Sequence, residues 1–261
     1  MTDFALIGGT GTENFNLGAQ RISSVKTPYG NVDFVIGKLG NQEIVFMSRH
    51  GRDHAIPPHL VNYRANIWAL RELGVRKVLA TAAVGSLSSR FHLGDLVLLD
   101  QFLDFTKNRP QTFYEGGQQG VLHVDMTEPY CSAVRQVILD TAELLKLTVK
   151  NGACYVCTEG PRFETPAEIR MFQRLGADLV GMTSVPEVVL ARELGMCYAS
   201  IGMVTNEAAG IADHPLSHAE VMESIKKVGV NVARLVEGTF NLLPIDQNCL
   251  CSSANMEVNK F

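Results

Sequence analysis

The chain has 261 residues with a formal net charge of −4, and 46% of them are hydrophobic. This composition excludes a disordered chain and a disulfide miniprotein, and the length suits one large α/β core. A nucleic-acid binder carries a basic excess, which the negative net charge rules out. The N-terminus lacks a basic region followed by an apolar run, no apolar run reaches the roughly 18 residues of a membrane helix, and the six cysteines show no regular spacing. We therefore expect a soluble, cytoplasmic protein with free thiols.

Short apolar runs alternate with longer helical patterns along the chain. The short runs predict strands at residues 4–7, 33–36, 44–47, 77–82, 96–99, 153–157, 179–181 and 197–204. The longer patterns predict helices at residues 60–73, 132–145, 166–175, 185–194 and 218–242. Thr165 with Glu168, and Ser217 with Glu220, are capping-box pairs that mark two helix starts. The alternation predicts a mostly parallel sheet covered on both faces.

The chain shows no linker and no internal repeat, so we predict a single domain over residues 1–244. After Pro244 the periodicity stops and Asn, Ser and Cys accumulate. We predict that residues 245–261 form a mobile C-terminal tail.

Three strand ends carry groups that suit an anion. Residues 7–11 (IGGTG) follow the first strand, where glycines aim backbone N–H groups and Thr10 adds a hydroxyl. Arg49 and His50 follow another strand, and Thr183 stands at a strand-to-helix turn. The alternatives are a tight turn, a solvated loop and a plain helix cap. The dinucleotide fingerprint and the Walker spacing are both absent, which weakens a dehydrogenase interpretation.

Two further strand ends suit a planar heterocycle. Phe163 can stack on a ring, and Glu164 can accept N–H donors, although a core phenylalanine and a solvated glutamate are the simpler interpretation. Asn206 can both donate and accept hydrogen bonds at a heterocycle edge. Cys154 and Cys157 lie in a predicted strand with opposite orientations, which favours ordinary core cysteines. HExxH and paired CxxC patterns are absent, so we predict no metal site.

Five segments in order resemble the trimeric purine nucleoside phosphorylase and methylthioadenosine phosphorylase family. They are residues 7–11 (IGGTG), 48–52 (SRHGR), 62–70 (NYRANIWAL), 159–163 (EGPRF) and 182–188 (MTSVPEV), and the similarity spans about residues 3–243. The resemblance implies an α/β fold, a three-layer sandwich around a mixed, partly barrel-like sheet. It also implies phosphorolysis of a nucleoside to a free purine and a pentose 1-phosphate, with phosphate as co-substrate and no cofactor. A homotrimer is implied, in which His123 reaches a neighbour's pentose pocket.

The resemblance also assigns roles to single residues. The phosphate site would consist of Thr10, Arg49, His50, Ala82, Ala83 and Thr183. Met182 would contact the pentose, while Phe163, Asn206 and Ala208 would contact the base. Asn206 and His50 would be the catalytic residues, with Asn206 stabilising negative charge on N7 and O6 of the purine.

Three positions bear on the substrate. Glu164 stands where the methylthioadenosine branch has serine, and Asn206 stands where that branch has aspartate. Both residues favour 6-oxopurines. The Glu164 carboxylate can accept a hydrogen bond from N1–H, a proton that adenine lacks, and an aspartate in place of Asn206 would suit a 6-amino group. His218 favours a 5′-hydroxyl over a methylthio group. We predict phosphorolysis of inosine and guanosine in purine salvage. Methylthioinosine or methylthioadenosine phosphorolysis is the alternative, and a non-catalytic nucleoside sensor a more distant one.

Overall fold

The computed structural model describes residues 2–9, 15, 17–51, 55–212, 215–246, 249–254 and 258–259, with the backbone alone for residues 218, 258 and 259. The strands are β1 (Phe4–Gly8), β2 (Arg21–Thr27), β3 (Gly30–Leu39), β4 (Gln42–Ser48), β5 (Lys77–Ser86), β6 (Leu96–Leu98), β7 (Gln101–Phe105), β8 (Val121–Leu122), β9 (Val149–Asn151), β10 (Cys154–Thr158), β11 (Leu179–Gly181), β12 (Cys197–Glu207) and β13 (Val258–Asn259). The α-helices are α1 (Tyr63–Glu72), α2 (Ser132–Leu145), α3 (Pro166–Arg174), α4 (Ser184–Glu193) and α5 (His218–Leu242). Short 3-10 helices lie at Pro58–Leu60, Gly117–Gln119 and Leu250–Ser253. None of the described helices is long and apolar enough to cross a membrane.

Helix starts follow the local side chains. Both predicted capping boxes form, because Thr165 accepts from the Glu168 amide at α3 and Ser217 accepts from the Glu220 amide at α5. The first helix begins at Tyr63 rather than at residue 60, since Asn62 caps it by accepting from the Ala65 amide. The preceding three residues form the separate 3-10 helix.

Eleven strands form one mixed sheet, so the predicted α/β fold with a mixed sheet is confirmed. Its main path runs β2-β3-β4-β1-β5-β11-β10-β7, and β12, β6 and β9 branch from β5. Strand β12 pairs with β5 in parallel along nearly its whole length and with β6 antiparallel. Apolar clusters pack on both faces of the sheet, one against α1 and α4 and the other against α2 and α5. The helices therefore form the outer two layers.

The sheet divides along β5. Strand β1 pairs with β5 as far as Ala80, and β11 pairs with it from Gly85. Within the described ladders, residues 81–84 of β5 pair with β12 but with no strand on their other side. The division leaves an opening in the middle of the sheet.

The segment beyond residue 244 makes contacts with the domain in its described part. Lys77 donates to the carbonyl oxygens of Pro244 and Ile245, and Cys251 is buried. Residues 258–259 pair with β8. The predicted domain boundary and the predicted mobility of the tail stay predictions.

Candidate active site

A cavity of about 280 Å³ occupies the opening where the sheet divides. Its wall combines the end of β1, the unpaired edge of β5, and the ends of β11 and β12 with the loops that follow them. Ten of the residues predicted for the site line it: Arg49, His50, Ala82, Ala83, Phe163, Glu164, Met182, Thr183, Asn206 and Ala208. The structure thus brings together side chains that lie up to 159 residues apart in sequence (49 to 208).

Arg49 lies at the inner wall of the cavity and is almost fully buried. Its Nε and Nη2 atoms donate to the two carboxylate oxygens of Glu187 at 2.8 and 2.7 Å, and Nη1 donates to the Thr81 carbonyl at 2.9 Å. Burial alone would lower the pKa of Arg49, but the Glu187 carboxylate outweighs it and raises the pKa. The guanidinium is therefore charged, and three of its five N–H groups are engaged in these contacts.

The remaining anion-binding candidates surround Arg49. His50 is buried, and its Nδ1 atom donates to the Ile56 carbonyl at 2.8 Å, because a carbonyl can only accept. Thr183 is the N-cap residue of α4, its hydroxyl makes no capping hydrogen bond, and the residue lines the cavity. Ala82 and Ala83 lie on the unpaired stretch of β5. Thr10 lies outside the described residues.

Gly9 has no side chain and therefore leaves room for the Arg49 guanidinium. A Cβ atom at this position would lie 2.8 Å from Arg49 Nη1 and 3.0 Å from the Thr81 carbonyl oxygen. Any larger residue would displace the guanidinium, so this glycine is needed for close approach rather than for a turn.

Glu164 is a buried carboxylate at the cavity wall. Thr158 Oγ1 donates to Glu164 Oε1 at 2.6 Å. Burial raises the pKa of Glu164, and the Thr158 hydrogen bond partly opposes that shift. Phe163 beside it is partly exposed, which suits a side chain that covers a ligand at the mouth of the cavity.

Asn206 follows a bulge in β12. The pairing of β12 with β5 shifts by one residue between Val204 and Asn206, and such a bulge re-aims the following side chain. Asn206 Oδ1 accepts from Thr205 Oγ1 at 3.0 Å, and its Nδ2 donates to the Glu207 carbonyl at 2.8 Å. A Cβ atom at Gly85 would lie 3.0 Å from Asn206 Nδ2, so Gly85 makes room for the amide. Ala208 is buried next to this turn.

Gly160 and Arg109, neither of which was predicted from the sequence as a site residue, position Met182. Gly160 has a φ of +66°, and a Cβ atom there would lie 2.6 Å from Met182 Sδ. Arg109 is buried and donates to the carbonyl oxygens of Met182, Val185, Thr158 and Glu159 at 2.7 to 3.1 Å. Arg109 therefore joins the loop that leads to Glu164 with the loop that carries Met182 and Thr183.

Glu187 and Tyr198 were not among the residues predicted from the sequence. Tyr198 donates to Glu187 Oε1 at 2.7 Å and completes the shell of the carboxylate that holds Arg49. A buried glutamate within an apolar helix such as α4 was the available signal, since a buried charge requires a partner.

The last predicted specificity residue, His218, is the first residue of α5, and its side chain lies outside the description. Val221, one turn further along α5, lines the cavity. The first turn of α5 thus borders the cavity. His123 is exposed and is not among the cavity-lining residues of the described chain.

Comparison with known proteins identifies the family. Residues 3–241 match the model of the Phosphorylase superfamily. A protein of Moorella thermoacetica named probable 6-oxopurine nucleoside phosphorylase is 53% identical over 96% of each chain. The 6-oxopurine nucleoside phosphorylase of Pyrococcus furiosus is 48% identical over 97% of this chain and 98% of its own. A probable S-methyl-5′-thioinosine phosphorylase of Methanopyrus kandleri is 50% identical over 97% and 98%.

The fold agrees with these relatives. Methylthioadenosine phosphorylase from Schistosoma mansoni, solved with adenine, superposes with a TM-score of 0.91 at 35% identity, covering 98% of this chain and 96% of the other. The chain therefore belongs to the phosphorylase superfamily. The predicted family, fold class and enzymatic nature are confirmed.

Proposed function

We propose that this enzyme cleaves 6-oxopurine nucleosides, inosine and guanosine, with inorganic phosphate and releases the purine and a pentose 1-phosphate. The observation that carries the proposal is the buried carboxylate of Glu164 in the same cavity as the Asn206 amide. The names of the relatives from Moorella and Pyrococcus agree with it.

The two side chains complement the edge of a 6-oxopurine. A carboxylate accepts the N1–H of hypoxanthine or guanine, and also the 2-amino group of guanine. The Asn206 amide donates to O6 or N7. Adenine would place an unprotonated N1 against the carboxylate, and an unmatched buried polar group costs about 1–3 kcal/mol.

Phosphate would bind between Arg49, His50, Thr183 and the backbone of residues 82–83. Arg49 retains two N–H groups beyond its three contacts described above. The hydrogen bond from its Nδ1 to the Ile56 carbonyl holds the His50 ring at this part of the wall.

The reaction follows from these placements. The C1′–N9 bond breaks and its electron pair passes to the purine, while a phosphate oxygen forms the new bond to C1′. The pentose becomes cationic in the transition state, and the adjacent phosphate stabilises it. Asn206 stabilises the negative charge on N7 and O6. Orientation and electrostatic stabilisation of this kind supply most of the rate gain in many enzymes, and we propose no metal or organic cofactor for the chemistry.

A substrate panel tests the proposal. The purified enzyme is incubated with phosphate and, in turn, inosine, guanosine, adenosine, methylthioinosine and methylthioadenosine, and base release is measured. Highest kcat/KM for inosine or guanosine supports the proposal. Preference for adenosine or methylthioadenosine would overturn the base assignment, and absence of turnover would favour a sensor.

Methylthioinosine is the second candidate, because the Methanopyrus relative is named for it and the apolar Val221 lines the cavity. His218→Val in the first turn of α5 separates the two candidates. If His218 binds a 5′-hydroxyl, the variant loses inosine turnover relative to methylthioinosine, and the ratio stays constant if it does not.

We further propose a cytoplasmic homotrimer that acts in purine salvage, on the strength of the family resemblance. Light scattering coupled to gel filtration measures the assembly directly. A mass of three chains supports the proposal, and a monomer mass contradicts it.

A further inference from the structure

Four of the six cysteines converge at one place away from the cavity. Cys131 is the N-cap residue of α2, Cys197 begins β12, and Cys249 and Cys251 flank the start of the last 3-10 helix. The four Sγ atoms all lie within 4.8 Å of one another. Cys131, Cys197 and Cys251 are buried. Segments that are distant in sequence thus present a closed set of four sulfur atoms.

The thiols contact one another and a cation rather than apolar side chains alone. Cys197 Sγ and Cys249 Sγ are 3.3 Å apart, and Arg192 Nη1 donates to Cys251 Sγ at 3.2 Å. An ordinary buried cysteine acts as a small apolar side chain, so this arrangement asks for another explanation.

We propose that Cys131, Cys197, Cys249 and Cys251 bind one Zn²⁺ ion in a tetrahedral thiolate site. With Zn–S bonds of about 2.3 Å, tetrahedral sulfur atoms lie about 3.8 Å apart. Four sulfur atoms within 4.8 Å of one another reach that geometry with small side-chain shifts. All four positions are filled by protein, which is typical of structural rather than catalytic zinc.

The charges around the cluster fit such a site. Four thiolates and one Zn²⁺ carry a net charge of −2, which needs positive surroundings. Arg192 supplies one cation, and the N-terminus of α2 stabilises a thiolate at Cys131.

This site differs from our prediction of free thiols and no metal. Residues 249–251 form a Cys-x-Cys pair, which has one residue fewer between its cysteines than the CxxC spacing of common zinc motifs. The other two ligands have no local signature, because they come from a helix cap and a strand start. The zinc would fasten the C-terminal segment to the start of β12, whose other end carries Asn206.

The experiment measures metal content and does not depend on the proposed function. The full chain is purified under reducing conditions without chelator, and zinc per chain is determined by elemental analysis. We expect about one zinc per chain in the wild type and a loss of that zinc in Cys249→Ser/Cys251→Ser. Cys154→Ser, which removes a half-buried cysteine outside the cluster, is the matched control and should keep the zinc.

A second measurement guards against a variant that fails to fold. Wild-type protein is stripped with a chelator under reducing conditions and titrated with Zn²⁺ alone, while thermal unfolding is followed. A rise in Tm that saturates at one equivalent supports the site. The proposal would be overturned if the wild type is isolated without zinc and its Tm does not change when Zn²⁺ is added. An intact mass showing two disulfides in freshly isolated protein would also overturn it, because oxidised sulfur atoms do not bind zinc as thiolates.

Discussion

The guanidinium of Arg49 and the carboxylate of Glu187 form a two-bond ion pair at the wall of the cavity, with both side chains almost fully buried. Tyr198 donates a further hydrogen bond to the Glu187 carboxylate, and the Thr81 carbonyl accepts one from Arg49. Glu187 thereby fixes the plane of the guanidinium before any anion arrives. The pair therefore serves both the fold and the proposed phosphate site, and the two roles can be tested separately.

Removing Arg49 should destabilise the protein more than removing both charges. Arg49→Met leaves the Glu187 carboxylate buried and unpaired, which costs about 3–5 kcal/mol of unfolding free energy. Arg49→Met/Glu187→Gln removes that charge and should recover part of the loss. Urea unfolding of both variants measures the difference. Equal losses would mean that Glu187 does not depend on Arg49.

Replacing Arg49 by lysine tests the phosphate site with the charge kept. Arg49→Lys loses the planar fork and should raise the KM for phosphate by roughly 10- to 100-fold, since a hydrogen bond to a charged group contributes about 1.5–3 kcal/mol. The KM for inosine should change much less. Steady-state kinetics with each substrate varied in turn gives both values. An unchanged KM for phosphate would remove Arg49 from the phosphate site.

Asn206→Asp should change base preference. The aspartate would place a negative charge against O6 of inosine and remove a donor, and losing one charge-stabilising donor costs about 2.7–4 kcal/mol in the transition state. We expect a lower kcat/KM for inosine and a higher adenosine-to-inosine ratio. Glu207→Gln, an exposed neighbour, is the control and should leave the ratio unchanged. A constant ratio in Asn206→Asp would show that this residue does not read the base.

The hydrogen bond from Thr158 to Glu164 should set the acidic limit of activity. Burial raises the pKa of Glu164 and the Thr158 hydroxyl lowers it, so Thr158→Val raises it further. Activity needs the carboxylate as acceptor and is lost as the pH falls through this pKa. The acidic limb of kcat/KM for inosine should therefore move to higher pH.

The ionisation of phosphate contributes its own limb to that profile. Glu164→Gln cannot titrate at position 164 and should keep the phosphate limb alone. Coincident acidic limbs in wild type and Thr158→Val would show that Glu164 does not control the profile.

Arg109→Lys should loosen the two loops that this residue joins. A lysine cannot reach all four carbonyl oxygens at once, and each buried acceptor left unpaired costs about 1–3 kcal/mol. We expect a lower Tm and a higher KM for inosine, because Met182 and Glu164 lie on those loops. Arg90→Lys, at an exposed arginine, is the control. An unchanged KM for inosine with a lowered Tm would limit Arg109 to a structural role.

The strands and helices with strong apolar patterns could be predicted from the sequence, and the weakly patterned ones could not. All eight predicted strands and all five predicted helices are present, with small shifts in their bounds. Strand β2 was missed because it is an edge strand with mostly exposed side chains, so it lacks the apolar run that marks a buried strand. Strand β9 has only three residues.

The site residues divide in the same way. Arg49, Glu164 and Asn206 carry distinctive chemistry at strand ends, and the family motifs add further weight to them. Arg109 has no motif, because its function depends on carbonyl groups that any residue could supply. The four cysteines meet only through the tertiary fold, which sequence spacing does not reveal.

Strand β5 pairs with β1 along its first half and with β11 at its end, and this arrangement limits how the chain can vary in evolution. Strand β5 is in register with β1, β11 and β12, and its middle residues face the cavity. One inserted or deleted residue would shift three ladders at once and turn every following side chain to the opposite face. Length changes among relatives should therefore fall outside β5, which keeps a constant length and varies by substitution alone.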